Sequence, residues 1–315
     1  MLLFIGNPIR RVELLQAMKI LVSGSHGLVG KALIKSVTAN GIEVSRLVRR
    51  KPTGGAREIE WHPDEGLLDA KQLEGLDAVV HLAGESIASG RWSDEKKRAI
   101  RESRVKGTQL LSKSLAQLSQ PPASFISASA IGYYGNRGDE LLTEESAPGN
   151  DFLASVCMEW EKSTAAAAEK GIRTVNTRFG IILDAGGGAL AKMLTPFRMG
   201  IGGRVGDGKQ WMSWIALDDV VGGLRFVLDH SSVSGPVNFV APNPVTNAEF
   251  TKALGRALSR PTFFPIPKIG VELAFGEMAD ALLLSSQRVE PRVLKESGYR
   301  FQLPTLHDAF SHVLN

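Results

Sequence analysis

Hydrophobic residues in the first half of the chain fall into short continuous runs, separated by longer stretches in which they recur every three or four positions. The short runs read as buried strands and the periodic stretches as amphipathic helices. Lys19–Ser23 is the first strand, and a helix is expected over Leu28–Ala39, ended by Asn40-Gly41. Ile42–Val48 is the second strand, Arg57–Trp61 a short third and Asp77–Leu82 a fourth. Ser93 can cap a long helix to about Leu118, which Pro121-Pro122 keeps from continuing. Ala123–Ser127 predicts a strand, Asp151–Lys170 a helix ended by Gly171, and Ile172–Arg178 another strand. Strand and helix in regular alternation predict an α/β fold with a Rossmann-type, doubly wound parallel sheet.

After Gly180 the pattern changes. Glycines crowd Gly186-Gly-Gly188 and Gly200 through Gly208, aromatics stand at Trp211 and Trp214, and helical periodicity returns at Leu217–Asp229, Thr246–Leu258, Ile269–Leu284 and Thr305–Leu314. We expect residues 18–180 to form the nucleotide-binding domain, its sheet completed by later segments. Residues 181–315 are expected to form a smaller, mostly helical C-terminal lobe over the carboxyl ends of the strands, where ligands bind in open α/β folds. Residues 1–17 precede the strand-like run from Met18 and are expected to be a disordered extension, or the product of an upstream start codon.

Composition narrows the function classes. With 43% apolar and 22% charged residues, the chain is an ordinary globular protein. Its formal charge is only +4, and no long Lys/Arg stripe interleaves with aromatics, which argues against a nucleic-acid partner. No apolar run has the length of a membrane span, and Arg10 and Arg11 follow the apolar opening instead of preceding it, the wrong order for a secretory signal. The single cysteine, Cys157, excludes an internal disulfide and a cysteine-rich metal site and suits a reducing, cytoplasmic setting.

The candidate chemistry begins at Gly24-Ser-His-Gly27-Leu-Val-Gly30, which follows the first strand and opens the first helix. Gly24 permits a tight turn, Gly27 lets a pyrophosphate approach the backbone, and Gly30 lets helix pack on strand. Free amides at the helix start favour an anion. The second strand ends Arg46-Leu-Val-Arg49-Arg50-Lys51 with no carboxylate where an NAD site usually has one. An arginine there offers a planar fork to a 2′-phosphate, so the expected cofactor is NADP(H). His81-Leu-Ala-Gly84 ends the fourth strand with small residues that leave room for adenosine; His81 itself reads as a packed residue.

These segments, with Ser127-Ala-Ser129-Ala-Ile-Gly-Tyr-Tyr-Gly135, Arg178-Phe-Gly180 and Trp214-Ile-Ala-Leu-Asp218-Asp219, resemble the extended short-chain dehydrogenase/reductases. More narrowly, Gly84-Glu-Ser-Ile, Arg91-Trp92, Ser103-Arg104, Cys157-x-x-Trp160-Glu161, Pro196-Phe-Arg198-x-Gly-x-Gly-Gly203 and Phe264-Pro-Ile-Pro267 resemble the atypical, epimerase-like family with a DUF1731-type extension, here 262–315. The resemblance implies that Gly24, Ser25, His26, Gly27, Leu28, Val29 and Gly30 hold the pyrophosphate. It also implies that Arg49, with Arg50 beside it, meets the 2′-phosphate and that Leu82, Ala83 and Gly84 flank the adenosine. Arg104 falls where the family uses an arginine on the cofactor; the other reading is a surface arginine on the long helix. Ser127 and Gly180 stand on the cofactor side. By analogy, dimers form through the helices at 93–118 and 151–170. Some members carry a label linking them to cell division.

One departure stands out. Active relatives place a tyrosine and a lysine four residues apart on one helix face, the lysine lowering the phenol pKa. Here the three tyrosines are Tyr133, Tyr134 and Tyr299, and none has a lysine four residues on. Aligning Glu161 with the acid that follows the pair puts Leu153 and Cys157 in its place. Ser129, Tyr133 and Tyr134 are the candidate replacements, with packing of the lobe interface as the alternative for the tyrosines. Lys192, Arg198 and Lys209 are candidate anion contacts, and Trp211 and Trp214 read as core packing. Two functions follow: an NADP(H)-dependent oxidoreductase or epimerase on a small polar or sugar-nucleotide-like substrate, or an NADP(H)-binding regulator or scaffold that has lost turnover.

Overall fold

A computed structural model describes residues 17–54 and 57–314, so the expectation for 1–17 lies, but for Ala17, outside the described residues. Eight strands share one sheet: β1 (Lys19–Ser23), β2 (Glu43–Val48), β3 (Glu58–His62), β4 (Leu67–Leu68), β5 (Ala78–His81), β6 (Ser124–Ala130), β7 (Arg173–Phe179) and β8 (Gly235–Phe239). Across the sheet they run β8-β7-β6-β5-β1-β2-β3-β4, all parallel except β4, which pairs antiparallel with β3. The order reverses at β1, flanked by β2 and β5, with Ile20 opposite Ala78 and Leu21 opposite Val79. That reversal makes the carboxyl ends of β1 and β5 the topological switch point, the place where open α/β sheets hold ligands.

Alternation along the strands builds a core on each face. Ile20, Val22, Val80 and Ile126 pack under α1 (Leu28–Ala39), which contributes Leu33, Ile34 and Val37. Leu21, Val79 and Phe125 face the other way, under Leu111 and Leu115 of α2 (Asp94–Ala116). Ser93 caps α2, its hydroxyl accepting from the Lys96 amide at 3.1 Å. A third cluster, with Leu190, Leu194, Trp214, Phe250 and Phe310, belongs to the segments after residue 180.

Four local expectations differ from the fold. The 151–170 stretch is two helices, α3 (Phe152–Lys162) and a short turn of helix at Ala165–Glu169. Between them Ser163 and Thr164 turn their hydroxyls back onto the Glu159 and Glu161 carbonyls, both at 2.7 Å, which competes with continued helix. The 269–284 stretch breaks at Gly276, whose φ of +60° ends the helix Lys268–Phe275. A helix over Gly188–Arg198, hidden in the sequence by its glycines and Pro196, crosses toward the loop after β5, where the Lys192 ammonium donates to the Ala88 carbonyl at 2.6 Å. Finally, β8 carries Pro236 and Asn238 in five residues, too weak an apolar signal to read as a strand, yet it is the sheet's far edge.

The C-terminal segment is strapped to the loop after β6. Arg288–Val289 pairs with Leu141–Leu142, and the Gln287 amide donates to the Ile131 and Gly135 carbonyls at 3.1 and 3.2 Å. Buried Asp219 accepts from the Gln302 and Leu303 amides. No helix among the described residues is long and apolar enough to cross a membrane.

Candidate functional site

The glycine turn sits at the switch point under tight steric limits. Gly24 has φ +65°, and a Cβ there would stand 2.7 Å from the Leu82 carbonyl carbon. A Cβ at Gly30 would collide with the Gly24 carbonyl. Among the described residues a Cβ at Gly27 would meet only that carbonyl, at 3.3 Å, so the outer side of the turn is open. Gly27 offers α1 no side-chain cap, and the first turn holds no acid. The amides of Leu28, Val29 and Gly30 lie in that first turn, where amides lack helical partners, and they suit an anion. Ser25 is buried, with its hydroxyl 3.2 Å from Nδ1 of exposed His26.

A buried network sets the facing turn. The Ser23 hydroxyl accepts from the Leu82 and Ala83 amides at 3.0 and 3.2 Å, leaving its own proton for His81 Nδ1 at 2.7 Å. His81 Nε2 then donates to the Thr108 hydroxyl at 3.1 Å. Burial without a counter-charge pushes the His81 pKa down to about 4. The ring is neutral at pH 7 and works as a strut, in keeping with the packed reading. Ser23 and Thr108 were not legible as site residues, because their partners lie far away in sequence.

The basic end of β2 divides its work. Arg50 is held by Glu58 through paired bonds of 2.7 and 3.0 Å, with its Nη1 also on the Lys51 carbonyl. That hydrogen bonding lowers the Glu58 pKa to about 2. Arg50 is thus engaged with Glu58, although its side chain stays half exposed. Arg49 is exposed and makes no hydrogen bond or ion pair among the described residues; Glu85 is the carboxylate that feels its charge. Arg104 is half-buried rather than a surface residue. Its guanidinium lies 5.0 Å from the Trp160 ring, would stand 3.4 Å from a Cβ at Gly84, and bonds the Ile100 carbonyl. Burial lowers its pKa, and no carboxylate pairs with it directly.

Where the tyrosine–lysine pair belongs, the fold puts apolar bulk. Leu153 and Cys157 on α3 pack against Gly132, with Leu153 Cβ at 3.3 Å and Cys157 Sγ at 3.8 Å from a Cβ built there. Burial pushes the Cys157 thiol up to about 12, so it stays protonated.

Beside it lies a polar network. The Ser129 hydroxyl donates to Glu161 Oε1 at 2.7 Å. Glu161 grips Arg178 with two bonds, Nε to Oε1 at 2.7 Å and Nη2 to Oε2 at 2.8 Å. Arg178 Nη1 reaches the Tyr134 hydroxyl at 2.9 Å, which donates to Asn238 Oδ1 at 2.7 Å. Tyr134 is wholly enclosed and its pKa is pushed up to about 12, chiefly by burial. As a candidate proton donor it is thus corrected: its hydroxyl is committed and cannot reach a ligand. Tyr133 differs. Its ring is half-buried with the Arg178 guanidinium 3.5 Å from the centroid, and its hydroxyl makes no hydrogen bond among the described residues. Glu161 and Asn238 were missed as site residues; a polar asparagine facing inward from β8 was the available signal.

The remaining expectations resolve simply. Ser127 is buried in β6, its hydroxyl near only the Ala128 carbonyl. Gly180 makes room for protein, since a Cβ there would meet the Ser213 carbonyl at 2.6 Å and Val240 at 2.7 Å. Trp214 is core, while Trp211 bonds Asp139 and carries Arg288 on its face.

A parallel sheet with its switch point at a glycine turn, and a Ser-Ala-Ser strand end facing it, is the short-chain dehydrogenase/reductase fold. The chain belongs to the NAD dependent epimerase/dehydratase family, whose pattern matches residues 20–240, and residues 266–313 match a domain of unknown function, DUF1731. It is 43% identical over 291 residues to the epimerase family protein Mb2239 of Mycobacterium bovis, covering 92% of this chain and 96% of that one. The human epimerase family protein SDR39U1 is 37% identical over 300 residues, 94% of this chain and all of the relative. A crystal structure of the human protein with NADPH superimposes with a TM-score of 0.87 at 35% identity, over 94% of this chain and 99% of that one.

Proposed function

We propose that this chain binds NADP(H) at the switch point and acts as an oxidoreductase or epimerase on a small polar or sugar-nucleotide-like substrate. In this reading the amides of the Gly24–Gly30 turn hold the pyrophosphate, Leu82 and Ala83 flank the adenosine, Arg49 takes the 2′-phosphate and Arg104 approaches from α2. Hydride chemistry is what the nicotinamide supplies when bound. Tyr133, whose hydroxyl is free among the described residues, handles the proton; the Arg178 guanidinium lies against its ring, and Glu161, itself bonded by Ser129, holds Arg178 in place. The observation that carries the cofactor reading is the free fork of Arg49 beside an uncapped glycine turn, and the NADPH in the human relative's structure supports it.

Calorimetric titration with NADPH and NADH, on the natural chain and on Arg49→Ala, tests it. NADPH binding that weakens about tenfold or more in the variant, with NADH unchanged, is the expected result. Binding of neither nucleotide would remove the reading.

A second reading has its own support: Leu153 and Cys157 occupy the place of the usual pair, and the Ser129 hydroxyl is already committed to Glu161. A regulator that binds NADP(H) without turnover fits those facts. Inertness toward a broad carbonyl and sugar-nucleotide screen, together with NADPH-dependent capture of a protein partner, would favour it over catalysis.

A further inference from the structure

The strongest exposed apolar surface lies on segments that follow residue 197. Phe263 and Phe264 are 85% and 73% exposed at the tip of a loop stiffened by Pro261, Pro265 and Pro267. The helix that follows, Lys268–Phe275, buries Val271 and leaves Ile269 and Leu273 70% and 72% exposed. Met199 and Ile201 stand out on the neighbouring loop. The two loops are zipped together: the Arg260 guanidinium donates to the Arg198 carbonyl, and the Ile266 and Gly206 amides pair with the Arg204 and Ile266 carbonyls, at 2.8 to 2.9 Å. Large aliphatic and aromatic tips on one contiguous surface are not what a freely solvated face carries.

Charge identifies what covers it. Residues 198–206 and 256–273 include Arg198, Arg204, Arg256, Arg260 and Lys268, all exposed, against a single acid, Glu272, which pairs with Lys268 at 3.3 Å. The patch thus carries a net +4, the whole formal charge of the chain, and the remainder is neutral. A second copy would bring this patch against itself in a two-fold dimer, setting like charges face to face. Aliphatic tips such as Met199, Ile269 and Leu273 have nothing to stack on nucleic-acid bases, whereas acyl chains accept them.

We propose that this surface docks the protein peripherally on an anionic lipid surface. Phe263, Phe264, Ile269 and Leu273 enter the acyl boundary, and the arginines meet the headgroups.

Co-sedimentation with vesicles tests the assignment. The chain is expected to bind equimolar phosphatidylcholine and phosphatidylglycerol vesicles, to bind pure phosphatidylcholine at least about tenfold more weakly, and to be released by high salt. Phe263→Ser/Phe264→Ser is expected to cut binding at least about thirtyfold, and Arg198→Gln/Arg256→Gln about fivefold per charge. Unchanged circular dichroism and NADPH titration would show both variants folded. Failure to bind the mixed vesicles overturns the proposal, as does undiminished binding by the phenylalanine variant. A concentration-dependent dimer that this variant dissolves would also overturn it, assigning the face to a second copy.

Discussion

His81 is the most quantifiable residue of the site. Its imidazole is enclosed between β5 and α2, edge-on to Trp61 with centroids 5.9 Å apart, and both nitrogens are bonded to hydroxyls. Nothing there stabilises an imidazolium, so the folded pKa falls to about 4 from 6.5. In the unfolded chain the ring takes up a proton near its ordinary value. Between the two values the unfolded state binds more protons, so stability is lost as pH falls through that window. The full penalty is reached only below the folded value. The slope reaches about 1.4 kcal/mol per pH unit, and from about pH 7 to about 4.5 this one group removes roughly 2.5 kcal/mol from the native state. His81→Gln supplies an amide able to accept from Ser23 and donate to Thr108, but cannot titrate. Urea unfolding of both proteins at the two pH values isolates the contribution, because every other group is common to both. The natural chain should lose about 2.5 kcal/mol more than the variant on acidification. Equal losses would sink the argument, since they would mean that His81 charges as readily inside as outside. A functional echo is expected too. Below about pH 4, where the folded ring charges, Nδ1 cannot accept from Ser23, so the Leu82–Ala83 turn loosens and NADPH affinity should fall further in the natural chain than in the variant.

The two adjacent tyrosines should respond in opposite ways. Tyr134→Phe strands Asn238 Oδ1 and an Arg178 N–H in the interior and should cost about 1–3 kcal/mol in thermal or urea unfolding. Tyr133→Phe should change stability by less than about 0.5 kcal/mol and lower any turnover by at least about a hundredfold. Cys157, with its pKa raised to about 12 by burial, should react with iodoacetamide roughly a thousandfold more slowly in the native chain than after unfolding; native labelling at the unfolded rate would contradict the burial argument.

What could be read in advance follows from what is local. The strands β1, β2 and β5 were legible to within a residue or two because buried parallel strands are continuous apolar runs between turn residues. The α1 and α2 boundaries followed from Asn40-Gly41 and Ser93. Periodicity alone marked the helices that start at Thr246 and Thr305, and both threonines prove to be caps, Thr246 closing a reciprocal box with Glu249. Failures fell where distant partners decide. Arg49 and Arg50 were both expected at the cofactor, and nothing local showed that Glu58 on the neighbouring strand engages Arg50. Tyr133 and Tyr134 are neighbours in sequence, yet one is sealed by Arg178 and Asn238 while the other keeps its hydroxyl. Glu161 served only to align the missing pair and emerged as the hub of the site, because its partners Ser129 and Arg178 sit on adjacent strands across α3.

The buried ion pair makes sense as a positioning device. Enclosed charge pairs seldom improve on well-packed apolar residues, because desolvation offsets their attraction. Arg178 and Glu161 nevertheless meet in the interior with two short bonds, a third from Ser129 and the guanidinium plane on Tyr133. Stability alone gives little reason for that arrangement; what it does is fix a guanidinium 3.5 Å from the Tyr133 ring centroid. The guanidinium is held by both Glu161 oxygens and by the Tyr134 hydroxyl, on the loop that also carries Tyr133. That loop is held in turn by Gln287, whose amide bonds the Ile131 and Gly135 carbonyls on either side of the two tyrosines. The C-terminal segment is thereby tied into the network: the strap at 286–289 fixes the loop that carries Tyr133 and Tyr134, and Arg178 grips the same loop from the sheet.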